Sequence, residues 1–475
     1  MRLHRTIRAG AGAALAASSL AVITLVGPLA ATSASAATNC AASAIPKGTT
    51  NITFWEGMTS NNEKLIQKIV TAFNKSQTKV HVSDVNQSGG YVQTWNSYLS
   101  SIGTSNEPNV VMLDQYITQG AVDSKSIIPV ATCVAGTRYS TRTFAKKTIL
   151  EETSAGKLQG LPYSVSAPIL IYNQNSFKAA GIKGPPVTVA QMATDAAKLK
   201  GKSFTYKGKK YTDTDGMSLA IDPWYLQIWQ GTANAFFVNN QNGRTGRATA
   251  AAYNDANGRA AFSELQNIVK RHDAVTNPNS GPITTAYANL YAIGSGASGM
   301  TIDSSATLGT ILADLPLFPN VKLGVSQMPR ITPTVTGGVQ PGGNALFLPK
   351  GSDASSAKLA ASWEFMQYLA SAVNMAKWDV GTGYVPIRSD AASQPAMKAF
   401  YAKYPTLRAA YTEISSGKVD NATAGPLLGC YYQVSNDLVT AEVNLFSGSY
   451  PSPASVLAAA ASQTTSDIKS YNSSI

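Results

Sequence analysis

The chain has 475 residues, 44% of them hydrophobic and only 13% charged, against a norm near ~25% for soluble domains. That much apolar content excludes a disordered chain, and three cysteines exclude a disulfide scaffold. The formal charge of +12 is spread thinly, with its densest run at Lys207-Gly208-Lys209-Lys210, so the clustered basic footprint of a nucleic-acid binder is missing and no nucleic-acid partner is expected.

Residues 1–36 read as a secretory signal peptide. Arg2, Arg5 and Arg8 form the charged start, an apolar stretch runs from Ala13 to Ala31, and Ala34-Ser35-Ala36 is an A-x-A cleavage site. Ser18, Ser19, Gly27 and Pro28 interrupt the apolar stretch and speak against a spanning helix. Cys40 follows Thr38-Asn39, and Asn39 is the wrong neighbour for lipid attachment, so the product is expected to be released rather than acylated at Cys40.

Asn51-Ile52-Thr53-Phe54-Trp55 reads as a first strand. Asn61 opens an amphipathic helix in which Leu65, Ile66, Ile69, Val70 and Phe73 recur at helical spacing. Val80, Val82 and Val85 mark a second strand. Val110-Val111-Met112-Leu113 and Ala167-Pro168-Ile169-Leu170-Ile171-Tyr172 are the continuous apolar runs of doubly covered strands. A helix follows over 189–200. Further on, Phe262, Leu265, Ile268 and Val269 line a helix, and strands are expected at Gly299–Asp303, Leu323–Val325 and Leu346–Leu348. Leu359, Trp363, Met366 and Leu369 stripe another helix, and the last covers 454–471. Clusters of Gly, Ser, Thr and Pro near 273–286 and 331–343 are loops. Strand and helix in alternation predict an α/β protein with mainly parallel sheets flanked by crossover helices.

Motif chemistry excludes several activities. Gly294-Ser295-Gly296-Ala297-Ser298-Gly299 has the dinucleotide spacing, but Met300-Thr301-Ile302 after it is strand-like where a helix is required. Asp213-Thr214-Asp215-Gly216 lacks the frame of a calcium loop. His81 and His272 are the only histidines after the leader, and the cysteines have no metal spacing, so neither metal nor cofactor is expected. Aromatic residues are the stronger signal. Trp55, Tyr91, Trp224, Tyr225, Tyr384, Tyr431 and Tyr432 fall at predicted element ends, where flat rings beside short polar groups suit a sugar. A secreted carbohydrate-active enzyme with a carboxylate pair is the rival reading.

Taken in order, several segments resemble the extracellular solute-binding proteins of carbohydrate ABC importers. They are Ile52-Thr53-Phe54-Trp55-Glu56-Gly57-Met58, Gly90-Tyr91-Val92-Gln93, Pro162–Asn173, Gly299–Ser305, Gly342-Gly343-Asn344-Ala345-Leu346-Phe347 and Thr382-Gly383-Tyr384-Val385-Pro386-Ile387. More narrowly, the chain resembles the glycerol-3-phosphate and glycerophosphodiester-binding branch. The resemblance implies a periplasmic-binding-protein-like fold of two α/β lobes whose hinge is crossed several times, near 163–166, 325–335 and 381–386. Lobe 1 would hold 37–163 and 335–383, and lobe 2 would hold 164–334 and 384–475. It implies a monomeric, non-enzymatic capture subunit working with transmembrane permease subunits. Its ligand positions fall on Tyr91, Gln115, Ser166, Trp224, Ser305, Gly343 and Tyr384.

Two departures bear on the ligand. Gln115 stands where the branch has a Glu, and no Arg occurs near 427–435, where the branch carries a phosphate-binding one. Phosphate is served best by a bidentate guanidinium. A neutral sugar or oligosaccharide is therefore expected, with a glycerol phosphate or glycerophosphodiester as the alternative and Arg388 or Lys350 as its substitute cations. Cys40 and Cys133 fall in one lobe, which predicts their disulfide and leaves Cys430 free.

Overall fold

A computed structural model describes residues 39–277, 291–334, 336–351 and 355–475. The signal peptide expected over 1–36, most of the loop cluster at 273–286 and Val335 lie outside the described residues. The strands that build the two main sheets are β1 (Thr50–Glu56), β2 (Val80–Asn86), β3 (Val110–Asp114), β4 (Ile127–Ile128), β5 (Leu161–Ser166), β6 (Pro168–Asn173), β7 (Asp215–Ala220), β8 (Ala274–Asn277), β9 (Ser298–Ser304), β10 (Leu323–Gln327) and β11 (Gly342–Pro349). The first sheet has the order β2-β1-β3-β11-β4, with β5 also paired to β11. The second has the order β8-β7-β9-β6-β10.

Each sheet is mixed. β1 runs parallel to β2 and β3, and β7 runs parallel to β8 and β9, as crossover helices require. The strands that enter from the other lobe run antiparallel: β11 against β3, β4 and β5, and β6 against β9 and β10. A strand delivered through the hinge has no crossover helix of its own to set its direction.

The helices follow their apolar stripes. In α1 (Ser60–Ser76), Ile66, Ile69, Val70 and Phe73 are buried. Phe73 and Phe54 of β1 both pack on Phe365, at 5.2 and 5.3 Å between ring centres. α2 (Gly90–Ser101) packs on β3. In the second lobe, α3 (Val189–Leu199) lies so close to β7 that a Cβ on Gly216 would stand 1.8 Å from the Ala196 carbonyl, so only glycine fits there. α4 (Trp224–Thr232) carries the fully buried Trp229, whose indole donates to the Pro329 carbonyl at 2.9 Å.

The lobes are joined where chain segments touch. Ala167 alone separates β5 from β6. Its N–H donates to Ser305 Oγ at 3.0 Å, and its carbonyl accepts the Ser305 N–H at 2.8 Å. Val385 N–H donates to the Val165 carbonyl beside it at 2.7 Å. Gly383 has φ +89°, and a Cβ there would meet the Ser305 carbonyl at 2.4 Å. The segment between β10 and β11 is held by Lys147, whose ammonium donates to the Val339 and Ser416 carbonyls at 3.0 and 3.2 Å.

Cys40 and Cys133 form a disulfide that closes 93 residues of separation with 5.2 Å between the Cα atoms, and Cys430 carries a free thiol. A loop of this size limits the unfolded chain by about 4.7 kcal/mol in the chain-entropy account, and measured bridges deliver less. Replacing Cys40 and Cys133 by serine should therefore lower unfolding free energy by about 2–4 kcal/mol in denaturant titration, while Cys430→Ser should change it by less than about 1 kcal/mol.

Candidate functional site

β3 ends in Asp114, and the next two residues turn into the interlobe space. The Asp114 carboxylate accepts the Tyr116 N–H at 3.0 Å and so caps the short 3-10 turn Gln115–Ile117. This capping aims Gln115 and Tyr116 at the same target. Gln115 Nε2 and the Tyr116 hydroxyl both donate to the Pro341 carbonyl, each at 2.6 Å.

The second lobe reaches the same point with Trp224, the first residue of α4. Asp222 accepts the Trp224 N–H at 3.0 Å, and the indole N–H donates to the Tyr116 hydroxyl at 2.6 Å. The ring passes so close to the chain that a Cβ on Gly342 would stand 2.6 Å from Trp224 Cζ2 and 2.9 Å from Ser166 Oγ. Tyr116 stacks on Tyr431 at 4.6 Å and 25°. The Tyr431 hydroxyl donates to Gln227 Oε1 at 3.0 Å, and the Tyr432 hydroxyl donates to Asp114 Oδ2 at 3.3 Å. Across from these, the Tyr91 and Tyr384 hydroxyls share a hydrogen bond of 2.8 Å. Tyr384 continues a stack through Trp378 to Tyr163, with 5.6 Å at each step.

Tyr91, Gln115, Ser166, Trp224 and Tyr384 are thus drawn into one aromatic cluster. Ser305 stands at the Ala167 crossing rather than among the rings: it is fully buried, and its hydroxyl accepts the Ala167 N–H. Gly343 adjoins the cluster through its backbone. Its φ is +121°, and a Cβ would lie 1.8 Å from the Ser164 carbonyl, so a steric requirement of the β5–β11 pairing suffices to explain it. Sequence reasoning passed over Tyr116, Gln227 and Gly342. A signal for Tyr116 existed: it follows a fully apolar strand that ends in a capping Asp.

Polar atoms in this cluster lack protein partners. Gln115 Oε1, Gln227 Nε2 and Gln340 Oε1 are buried without a hydrogen bond among the described residues. Such atoms cost free energy unless something else bonds them.

The charged groups near the cluster are acids. Burial raises Asp114 from 3.8 to about 7 and Asp222 from 3.8 to about 6. Burial also pushes the phenols of Tyr91, Tyr116, Tyr384, Tyr431 and Tyr432 upward, and the Asp114 charge adds to the push on each. Cations are engaged elsewhere. Arg244 gives all five of its N–H groups to carbonyls: Nε to Gly425, Nη1 to Leu150 and Thr153, and Nη2 to Glu151 and Ala424. Arg388 pairs with both Asp390 oxygens and also donates to Tyr139 and to the Ala370 carbonyl. Lys350 donates to the Lys125 carbonyl at the far end of β11. The substitute roles expected of Arg388 and Lys350 are thus corrected: neither side chain is directed at the cluster.

A profile of bacterial extracellular solute-binding proteins matches residues 68–409. The sn-glycerol-3-phosphate-binding periplasmic protein UgpB of Pectobacterium atrosepticum is 29% identical over 372 residues, covering 76% of this chain and 79% of its own. Among solved structures, the GacH receptor of Streptomyces glaucescens, described unliganded and with acarbose, superposes with a TM-score of 0.70 at 18% identity. The match covers 90% of this chain and 98% of the receptor. UgpB from Mycobacterium tuberculosis, in complex with glycerophosphocholine, gives 0.67 at 16% identity over 89% and 98%. At these identities the structural matches establish the two-lobed fold.

Asp114 gives the site a pH signature. Between its ordinary value of 3.8 and about 7, the folded chain keeps a proton that the unfolded chain has released. Its contribution to stability is complete below that window and falls as pH rises through it. The buried acids Glu56, Asp222 and Glu413 are raised in the same direction, so the melting temperature should decline from about pH 4 to about pH 7, and Asp114→Asn, which keeps the cap acceptor but cannot ionise, should make that decline shallower by its own share. A slope identical to wild type in Asp114→Asn would show that Asp114 does not contribute to it.

Proposed function

The chain belongs to the bacterial extracellular solute-binding protein family, and from that membership we propose that it is the substrate-binding subunit of an ABC importer. It captures a neutral sugar or oligosaccharide between its lobes and delivers it to transmembrane permease subunits. The observation that carries the sugar reading is the cluster of Tyr91, Tyr116, Trp224, Tyr384, Tyr431 and Tyr432. Its rings come from both lobes, and Gln115 and Gln227 add amide atoms without protein partners. Ring faces take the C–H surfaces of a sugar, and uncharged amides and phenols take its hydroxyls. Ligand contact is assigned to Tyr91, Gln115, Ser166, Trp224 and Tyr384 and to the Gly343 backbone. Ser305 is a positioning residue at the crossing.

Capture follows from cluster geometry. A ligand that bonds Gln115 from the first lobe and Gln227 from the second stabilises the lobes together, and only such differential contact drives closure. Lobe boundaries, by this reading, lie at 163–164, 334–335 and 383–384. The chain acts as a secreted monomer. The Cys40 sulfur is held in the disulfide, which agrees with release rather than acylation.

The curated relatives named for sn-glycerol 3-phosphate favour a second reading, an anionic ligand. Against it stands the engagement of Arg244, Arg388 and Lys350. A titration at low and high salt separates the two. A neutral sugar should keep its affinity within about fivefold, because no ligand charge is screened, whereas a loss of tenfold or more would establish an anion. A thermal-shift screen over neutral oligosaccharides, glycerol 3-phosphate and glycerophosphodiesters supplies the ligand for it.

Trp224→Ala should weaken binding by about 1–3 kcal/mol in calorimetric titration, as loss of an aromatic anchor does. Trp224→Phe should recover part of that loss, because it restores a ring without the N–H to Tyr116. Equal affinities for wild type and Trp224→Ala would remove Trp224 from the site.

A further inference from the structure

Trp55 is an aromatic residue that the interlobe cluster leaves unused. It lies one residue before the end of β1, where the alternation turns Glu56 into the core and Trp55 toward the opposite face. There it borders a shallow groove of about 400 Å³, lined also by Gln87, Gln93, Asn96, Ser97 and Ser100. Four of these residues come from α2 at i, i+3, i+4 and i+7, so they form one stripe. Tyr91, Trp95 and Tyr98 occupy i, i+4 and i+7 of the opposite stripe. Trp95 and Tyr98 are buried, and Tyr91 joins Tyr384 in the cleft. A single helix therefore presents one side to the cleft and core and the other to this groove.

The lining is chemically unusual for a solvent-facing helix. α1 carries Glu63, Lys64, Lys68 and Lys75, whereas α2 reads Gly-Tyr-Val-Gln-Thr-Trp-Asn-Ser-Tyr-Leu-Ser-Ser without one ionisable acid or base of the Asp, Glu, Lys, Arg or His kind. No charged residue lines the groove. Within the stripe Gln93 donates to Ser97 at 3.2 Å, and Ser100 donates back to the Asn96 carbonyl at 2.9 Å. No hydrogen bond among the described residues engages the Trp55 indole N–H or the side-chain amides of Gln87 and Asn96. The groove thus offers one ring face, free amide donors and acceptors, and hydroxyls, with no charge to desolvate.

We propose that this groove is a second carbohydrate site, in which a neutral saccharide lays a ring on Trp55 and hydrogen-bonds Gln87, Asn96 and the hydroxyls of α2. Being shallow and open, it holds its ligand more weakly than the interlobe cluster, because less of the ligand surface leaves water. The proposal stands whether or not the interlobe site takes a sugar.

The test is equilibrium binding of maltotriose and of cellotriose to the full chain, run on wild type, on Trp224→Ala and on the groove variants Asn96→Ala/Ser100→Ala and Ser97→Glu. The substituted groove positions are at the surface or half-buried, and unchanged thermal melts establish that the variants fold. The expected result is a weak phase for at least one trisaccharide that persists in Trp224→Ala and weakens tenfold or more in both groove variants. If the interlobe site takes another ligand, this weak phase is the whole isotherm and keeps the same dependence on the groove. A weak phase unmoved by the groove variants, or no phase that survives Trp224→Ala, overturns the proposal, as does failure of both trisaccharides to bind.

Discussion

One backbone carbonyl organises the interlobe site. Pro341 lies at the end of the segment joining the second sheet to the first, and its oxygen takes donors from both Gln115 and Tyr116. Tyr116 in turn accepts from Trp224 of the other lobe. The next residue must be small: a side chain on Gly342 would displace both the Trp224 ring and the Ser166 hydroxyl. The carbonyl, the phenol and the missing Cβ together fix where an aromatic ring from one lobe can meet the other. A buried carbonyl with two donors is also costly to vacate. The segment that links the lobes is therefore locked to the end of β3, and hinge geometry and site geometry become one constraint.

The charge distribution divides labour in a way that sequence counting cannot reveal. The net excess of cations looked diffuse. In the fold, several of the positive groups sit at the seam between segments rather than at the aromatic cluster. Arg244 and Lys147 are both directed at backbone carbonyls, Lys147 with its pKa lowered to about 8 and Arg244 to about 10, each by burial. Carbonyl partners are fixed dipoles, which lets a buried cation bridge segments without recruiting an acid for every contact. The cluster is left with carboxyls whose burial favours the protonated form.

How much of this was legible depended on the range of the signal. Strands such as Val110–Leu113 and helices such as the one bearing Ile66, Ile69, Val70 and Phe73 announce themselves through local periodicity, because burial of one face is a local demand. Strand direction was less legible. β6 and β11 run antiparallel because they arrive through the hinge, and no pattern inside either strand records that. The site divides the same way. Trp224, Tyr91 and Tyr384 stood out as rings at element ends. Tyr116 did not, since its role comes from partners 108 and 225 residues away. Gly343 drew attention where Gly342 makes the ring contact, because two adjacent glycines look alike until a neighbour is placed beside one of them.

The seam and the cluster must also answer salt differently, which bounds what ionic strength can report. Arg247 bonds both Asp123 oxygens, 124 residues away in sequence, at 3.0 and 2.7 Å, with Tyr471 donating to the same carboxylate at 3.0 Å. The Arg247 side chain is 35% exposed and that of Asp123 only 7%, so the pair is half-buried, and the part of it open to screening is about 1 kcal/mol. Screening it can weaken closure, and hence affinity for any ligand, by at most about fivefold. Arg244 adds little to this response, because its partners are carbonyls and it is removed from water. A loss of tenfold or more therefore exceeds what the Arg247–Asp123 pair can supply and points to a charge on the ligand itself.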